Sequence, residues 1–136
     1  MMDMDEHYAI ETLQRKIHQG NVDAGWWTDL ETGINLANEA RKGTRLGKAI
    51  VAEKLCLIHS EVSEAMEGAR KNLPDDKLPH RPMIEVELAD AVIRILDLCG
   101  ALELDIDGAI NEKRTYNSKR EDHKIENRLK ANGKAY

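Results

Sequence analysis

At 136 residues the chain has room for one domain with a modest core. Its formal charge is −5 and charges of both signs make up 33% of it, which argues against a general nucleic-acid binder, since that needs a basic excess or a dense basic face. No apolar run is long enough to span a bilayer, and the acidic start Met1-Met2-Asp3-Met4-Asp5-Glu6 lacks the basic-then-apolar order of a signal peptide.

Phe is absent and Pro is scarce, while Leu, Ile, Ala, Glu and Lys dominate, so an all-α fold is expected. Cys56 and Cys99 fall inside helical patterns and read as buried thiols rather than a disulfide, which favours a cytoplasmic protein. The first helix is expected over residues 5–19, with Tyr8, Ile10, Leu13 and Ile17 as its stripe and Gly20-Asn21 as its end. An irregular segment follows, carrying Trp26 and Trp27 side by side, and then a short helix around Ile34–Arg41 and a loop. The stretch 1–45 thus precedes a core at about 46–124, and 125–136 reads as a polar extension of the same single domain.

A long helix is expected over 46–71. Val51, Leu55, Ile58, Val62, Ala65 and Ala69 recur at spacings of four and three, a packing stripe, and Leu57, Glu61, Glu64 and Gly68 run beside it with Lys54 close by. Pro74, Pro79 and Pro82 break the helix, and Pro82 starts the next one, which extends to about Leu104. There Ile84, Leu88, Ala91, Ile95, Leu98 and Leu102 repeat the four-three spacing, flanked by Glu87, Asp90, Arg94 and Asp97. Val86, Val92, Ile93, Leu96 and Cys99 make this helix apolar nearly all round, which in a short chain suggests a partner subunit. Asp105 or Asp107 can cap a fourth helix, on which Lys113, Asn117 and Arg120 share a face.

Two acidic couples stand out, Glu61-Val62-Ser63-Glu64 and Glu87-Leu88-Ala89-Asp90. The acid-x-x-acid spacing puts both carboxylates of a couple on one helix face. At ~1.5 Å per residue the couples lie ~12 Å and ~8 Å from the Pro-rich turn, so a hairpin brings them level. Buried carboxylates must be paired or metal-bound. Spacing alone leaves both open: a hard divalent cation, or an ion network with Lys54, Arg94 and Arg70. A di-iron bundle would need Glu-x-x-His on two helices, whereas Glu64 stands where that His would be and His59 lies on the wrong side of Glu61. Beside a metal cluster, Lys54, Lys113, Asn117 and Arg120 are candidate phosphate contacts, and Trp26 and Trp27 can stack on a base.

The run Leu57-Ile58-His59-Ser60-Glu61-Val62-Ser63-Glu64-Ala65, then Glu87-Leu88-Ala89-Asp90-Ala91-Val92-Ile93-Arg94-Ile95-Leu96-Asp97, then Lys113-x-x-Tyr116-Asn117-x-x-Arg120-x-Asp122-His123, resembles the MazG-like branch of the all-α NTP pyrophosphatases over roughly residues 48–124. The resemblance implies a four-helix core assembling as a dimer or tetramer. It implies cleavage of a (d)NTP between the α and β phosphates, with two or more Mg²⁺ ions or Mn²⁺ in their place. By motif position Glu61, Glu64, Glu87 and Asp90 would be metal ligands, Lys113, Asn117 and Arg120 would sit by the phosphates, and Tyr116 would shape the pocket. Some relatives carry a further Glu directly before the first motif acid as the proposed base; here that place is Ser60, which leaves Glu61, Glu64 or the metal alone to activate the water. Two indoles favour a purine such as dGTP. The alternatives are dUTP or dCTP, a modified nucleotide in a house-cleaning role, or a non-catalytic helical oligomerisation module. No stable contact with nucleic acid or membrane is expected.

Overall fold

The computed structural model describes residues 4–136, with side chains from Tyr8 onward. The order is α1 (Met4–Asp23), α2 (Leu36–Arg41), α3 (Arg45–Lys71), α4 (Met83–Ala101), α5 (Ile106–Ser118), a 3-10 turn at Glu121–His123, and α6 (Ile125–Arg128). The protein is all-α, and among the described residues no helix is long and apolar enough to cross a membrane.

The antiparallel hairpin of α3 and α4 is the frame. Thr44 caps the start of α3 by accepting from the Gly47 amide. The helix ends at Asn72, which adopts the left-handed conformation (φ 51°) common at helix C-termini. The connection is held by its backbone: the Met83 amide donates to the Leu73 carbonyl at 2.9 Å, and the Asp75 amide donates to the Arg81 carbonyl at 2.9 Å. The buried Asp75 carboxylate accepts from the amides of Lys77 and Leu78, which fixes the turn. Pro82 is the N-cap residue, one position before the expected first turn of α4. Gly68 lets the two helices close on each other, because a Cβ there would sit 2.8 Å from Met83 Cβ.

Of the remaining helices, α1 lies on α4, α2 lies on α3, α5 lies on α1 and α6 lies on the 3-10 turn. The core gathers at the end of the hairpin away from the Pro-rich turn, where Trp27, Ala37, Ala40, Ile50, Leu98 and Ala101 pack together. Small residues allow the close approach, and Trp27 fills the space they leave.

Several boundaries differ from the sequence reading. Helix α1 runs through Gly20 to Asp23, because glycine only weakens a helix; the turn comes at Gly25, whose φ of +86° suits it. Helix α4 stops at Ala101, three residues early. Helix α5 stops at Ser118, so Arg120 lies beyond it and does not share its face with Lys113 and Asn117. Cys56 is exposed, though Cys99 is buried and both thiols are free. The expected packing stripes are only half buried. Ala65, Ala91 and Leu98 are inside, whereas Leu55, Val62, Leu88 and Ile95 stay exposed.

Candidate metal centre

Glu61 of the first acidic couple meets both acids of the second across the hairpin. Carboxylate oxygens of Glu61, Glu87 and Asp90 all lie within 4.8 Å of one another. Opposite ligands of an octahedral ion at ~2.1 Å lie ~4.2 Å apart, so small side-chain adjustments suffice to seat one. An all-oxygen donor set matches Mg²⁺ or Mn²⁺ rather than a softer metal. Glu64 stands outside this group and is exposed. It remains near enough for its charge to act on Glu87.

The electrostatics of the cluster follow from like charges held together. Burial, a hydrogen bond to Glu61 and the charges of Glu61, Asp90 and Glu64 push the Glu87 carboxyl up to about 7. Burial and repulsion from Glu61 raise Asp90 as well, with Arg94 acting in the opposite direction and Asp75 adding to the rise. Arg94 supplies the positive charge: its Nε donates to Glu61 Oε1 at 2.7 Å. This contact belongs to the ion network considered above, whereas Arg70 pairs with Glu67 and takes no such part.

The acids open into a cleft of about 600 Å³ lined by Asn21, Trp26, Leu36, Glu53, Lys54, Leu57, Glu61, Asp90, Ile93, Arg94 and Asp97. That size is within the range of small-molecule sites. The two tryptophans part company here. Trp26 is 69% exposed on the cleft wall, but Trp27 is 2% exposed in the core. Trp27 is therefore not available for stacking on a base. Instead its Nε1 donates to Asp97 Oδ1 at 2.9 Å, and the same oxygen meets His18 Nδ1 at 2.8 Å. The Lys54 ammonium rests 4.5 Å from the Trp27 ring centre, which presents it at the cleft.

The third motif is elsewhere on the chain. Lys113 lies over the Tyr116 ring at 4.7 Å. Arg120 pairs with Asp122 through both Nε and Nη2, and with Tyr116 it borders a separate hollow. The Asn117 Oδ1 is buried without a hydrogen-bond partner among the described residues. None of Lys113, Asn117, Arg120 and Tyr116 lines the cleft that holds the acids. Ser60 donates its hydroxyl to the Leu57 carbonyl at 2.7 Å and so is engaged with its own helix.

Sequence reasoning missed Asn21 and Glu53 as cleft residues, and His18 as the partner of Asp97. Nothing local marks them, since they come together only because α1 and α3 both pack against α4. Comparison with protein-family models, curated proteins and solved structures gives no match for the chain.

Proposed function

We propose that the protein is a divalent-metal-dependent pyrophosphohydrolase of the MazG-like all-α type, converting a (d)NTP to (d)NMP and pyrophosphate. The observation that carries this reading is the convergence of Glu61, Glu87 and Asp90, of which Glu61 and Asp90 line a cleft whose wall also presents Trp26. When bound, Mg²⁺ or Mn²⁺, as two or more ions, would polarise the α-phosphate and lower the pKa of a water.

The chain's own residues have distinct tasks in this proposal. Glu61, Glu87 and Asp90 hold the metal. Glu64, exposed one turn beyond Glu61, is free to join them or to take the proton of the attacking water. Lys54 and Arg94 offset charge on the pyrophosphate at the cleft wall. Trp26 stacks on the base and Leu57 and Ile93 exclude water from that wall. With Trp27 in the core, one indole carries the proposed preference for a purine such as dGTP over dUTP, dCTP or a modified nucleotide.

Lys113, Asn117 and Arg120 remain proposed phosphate contacts only through self-association as a dimer or tetramer, with α5 of one copy reaching the cleft of another. Exposed Leu55, Val62 and Met66 on α3, and Leu88, Val92 and Ile95 on α4, offer an apolar surface for that assembly. The same surface favours the second reading, a non-catalytic helical oligomerisation module in which Arg94 and Glu61 form an ordinary ion pair.

Thermal unfolding with Mg²⁺ or Mn²⁺ and a non-hydrolysable dNTP separates the two. The enzyme reading expects metal and nucleotide together to stabilise by about 2.7 kcal/mol at a hundredfold excess over Kd. It expects Asp90→Asn to lose that gain. A melting curve indifferent to both ligands supports the module.

A further inference from the structure

We infer that Arg94 is an exchangeable counter-ion, which holds Glu61 while the acid cluster lacks metal and passes to the substrate's phosphates when a divalent cation arrives. The inference rests on the metal-site reading above.

Three observations carry it. The guanidinium is bound to Glu61, one of the three carboxylates that converge on the proposed metal position. Its charge cannot be shed by titration, because arginine stays protonated in proteins. A divalent ion bound to the same carboxylate therefore repels it at short range and favours its release. It also has somewhere to go. The Arg94 side chain is 42% exposed, against 13% for Glu61, and it lines the same cleft as Lys54 and Trp26. Asp90 and Asp97 lie four residues before and three after it on α4, so it sits on the line of acids that flanks the cleft. Asp97 Oδ1 is already engaged by both Trp27 and His18, which lessens its competition for the released guanidinium. A planar guanidinium facing this cleft suits bidentate capture of a phosphate.

A fixed outer partner of a metal ligand makes the opposite prediction. Such a residue orients its ligand, and its loss weakens metal binding. An exchangeable counter-ion competes with the metal, and its loss strengthens metal binding.

Calorimetric titration of the full chain with Mn²⁺ alone, for wild type, Arg94→Met and Arg94→Gln, reads this difference, with circular dichroism confirming unchanged helix. Both variants are expected to bind Mn²⁺ about tenfold more tightly, the scale of a lost charge-assisted hydrogen bond. At saturating Mn²⁺ they are expected to bind a non-hydrolysable dNTP at least tenfold more weakly. Mn²⁺ affinity that is unchanged or lowered in both variants overturns the exchange, and undiminished dNTP affinity overturns the transfer to phosphate. In either case Mn²⁺ binding by wild type that is lost in Asp90→Asn leaves the metal site standing. If neither wild type nor the Arg94 variants bind Mn²⁺, the metal reading falls and this inference falls with it.

Discussion

Burial and the neighbouring acids act together on Glu87, and its behaviour can be followed with pH. Burial, the hydrogen bond to Glu61 and the nearby charges push its carboxyl up to about 7 in the folded protein, from an ordinary value of 4.5. Between those values the folded chain holds a proton that the unfolded chain releases. Its contribution to stability is therefore full below about pH 4.5 and is lost as the pH rises through 7. Metal-free protein is expected to melt at a lower temperature at pH 8 than at pH 6, and saturating Mn²⁺ should flatten or reverse that slope, because the bound state needs the carboxylate. Glu87→Gln separates the two effects. It should stabilise the metal-free protein at pH 8, where it removes a repelled charge, yet weaken Mn²⁺ binding at least tenfold. Melting curves and calorimetry on the same variant check both arms. A variant that leaves Mn²⁺ affinity intact would remove Glu87 from the ligand set.

At the scale of elements, two glycines test how the helices are set. Gly20 lies within α1, and a Cβ added to it would meet nothing within 4 Å, so Gly20→Ala should stabilise by about 0.5–1 kcal/mol through helix propensity. A Cβ on Gly100 would meet His18 Cβ at 2.5 Å. Because that atom is fixed to the backbone of α1, the helices would have to separate. Gly100→Ala should cost about 1–3 kcal/mol, and the indole of Trp27, held with His18 on Asp97, should shift its fluorescence toward that of a solvated ring. Urea unfolding and emission spectra of the two variants give these values. Helix existence was legible in the sequence because apolar periodicity, Asp105 and the prolines all mark it locally, whereas the Thr44 cap came only from the structure. The end of α1 was not, since Gly20 resembles a stop signal and the conformation of Gly25 depends on the loop. The shared face of Lys113, Asn117 and Arg120 was also misread, because the pattern does not show that α5 ends at Ser118.

At the scale of the whole molecule, the apolar residues left outside define the next question. Leu55, Val62 and Met66 recur at seven and four on α3, and Leu88, Val92 and Ile95 at four and three on α4, all exposed. Scattered exposed apolar residues are ordinary, but aligned ones mark contact surfaces. We expect light scattering to give a multiple of 15.4 kDa, and the pair Val62→Glu with Val92→Glu to give single chains of unchanged helicity. If association also brings α5 to the cleft, that pair should lower turnover while leaving Mn²⁺ affinity within about twofold. Three of the four expected cluster acids, Glu61, Glu87 and Asp90, were legible because comparable depth from a turn is a property of one hairpin. Arg94 on Glu61, His18 on Asp97 and the burial of Trp27 depend on packing between elements distant in sequence, which no local spacing encodes.

The proposed reaction is cleavage of a triphosphate between its α and β phosphates in this cleft. Product analysis after incubation with a panel of dNTPs and Mg²⁺ tests it most directly. Equal amounts of nucleoside monophosphate and pyrophosphate are expected from at least one dNTP, with dGTP among the best, and a fall of more than a hundredfold in Asp90→Asn at unchanged helix content. Release of diphosphate and orthophosphate, or no turnover of any nucleotide, would contradict it.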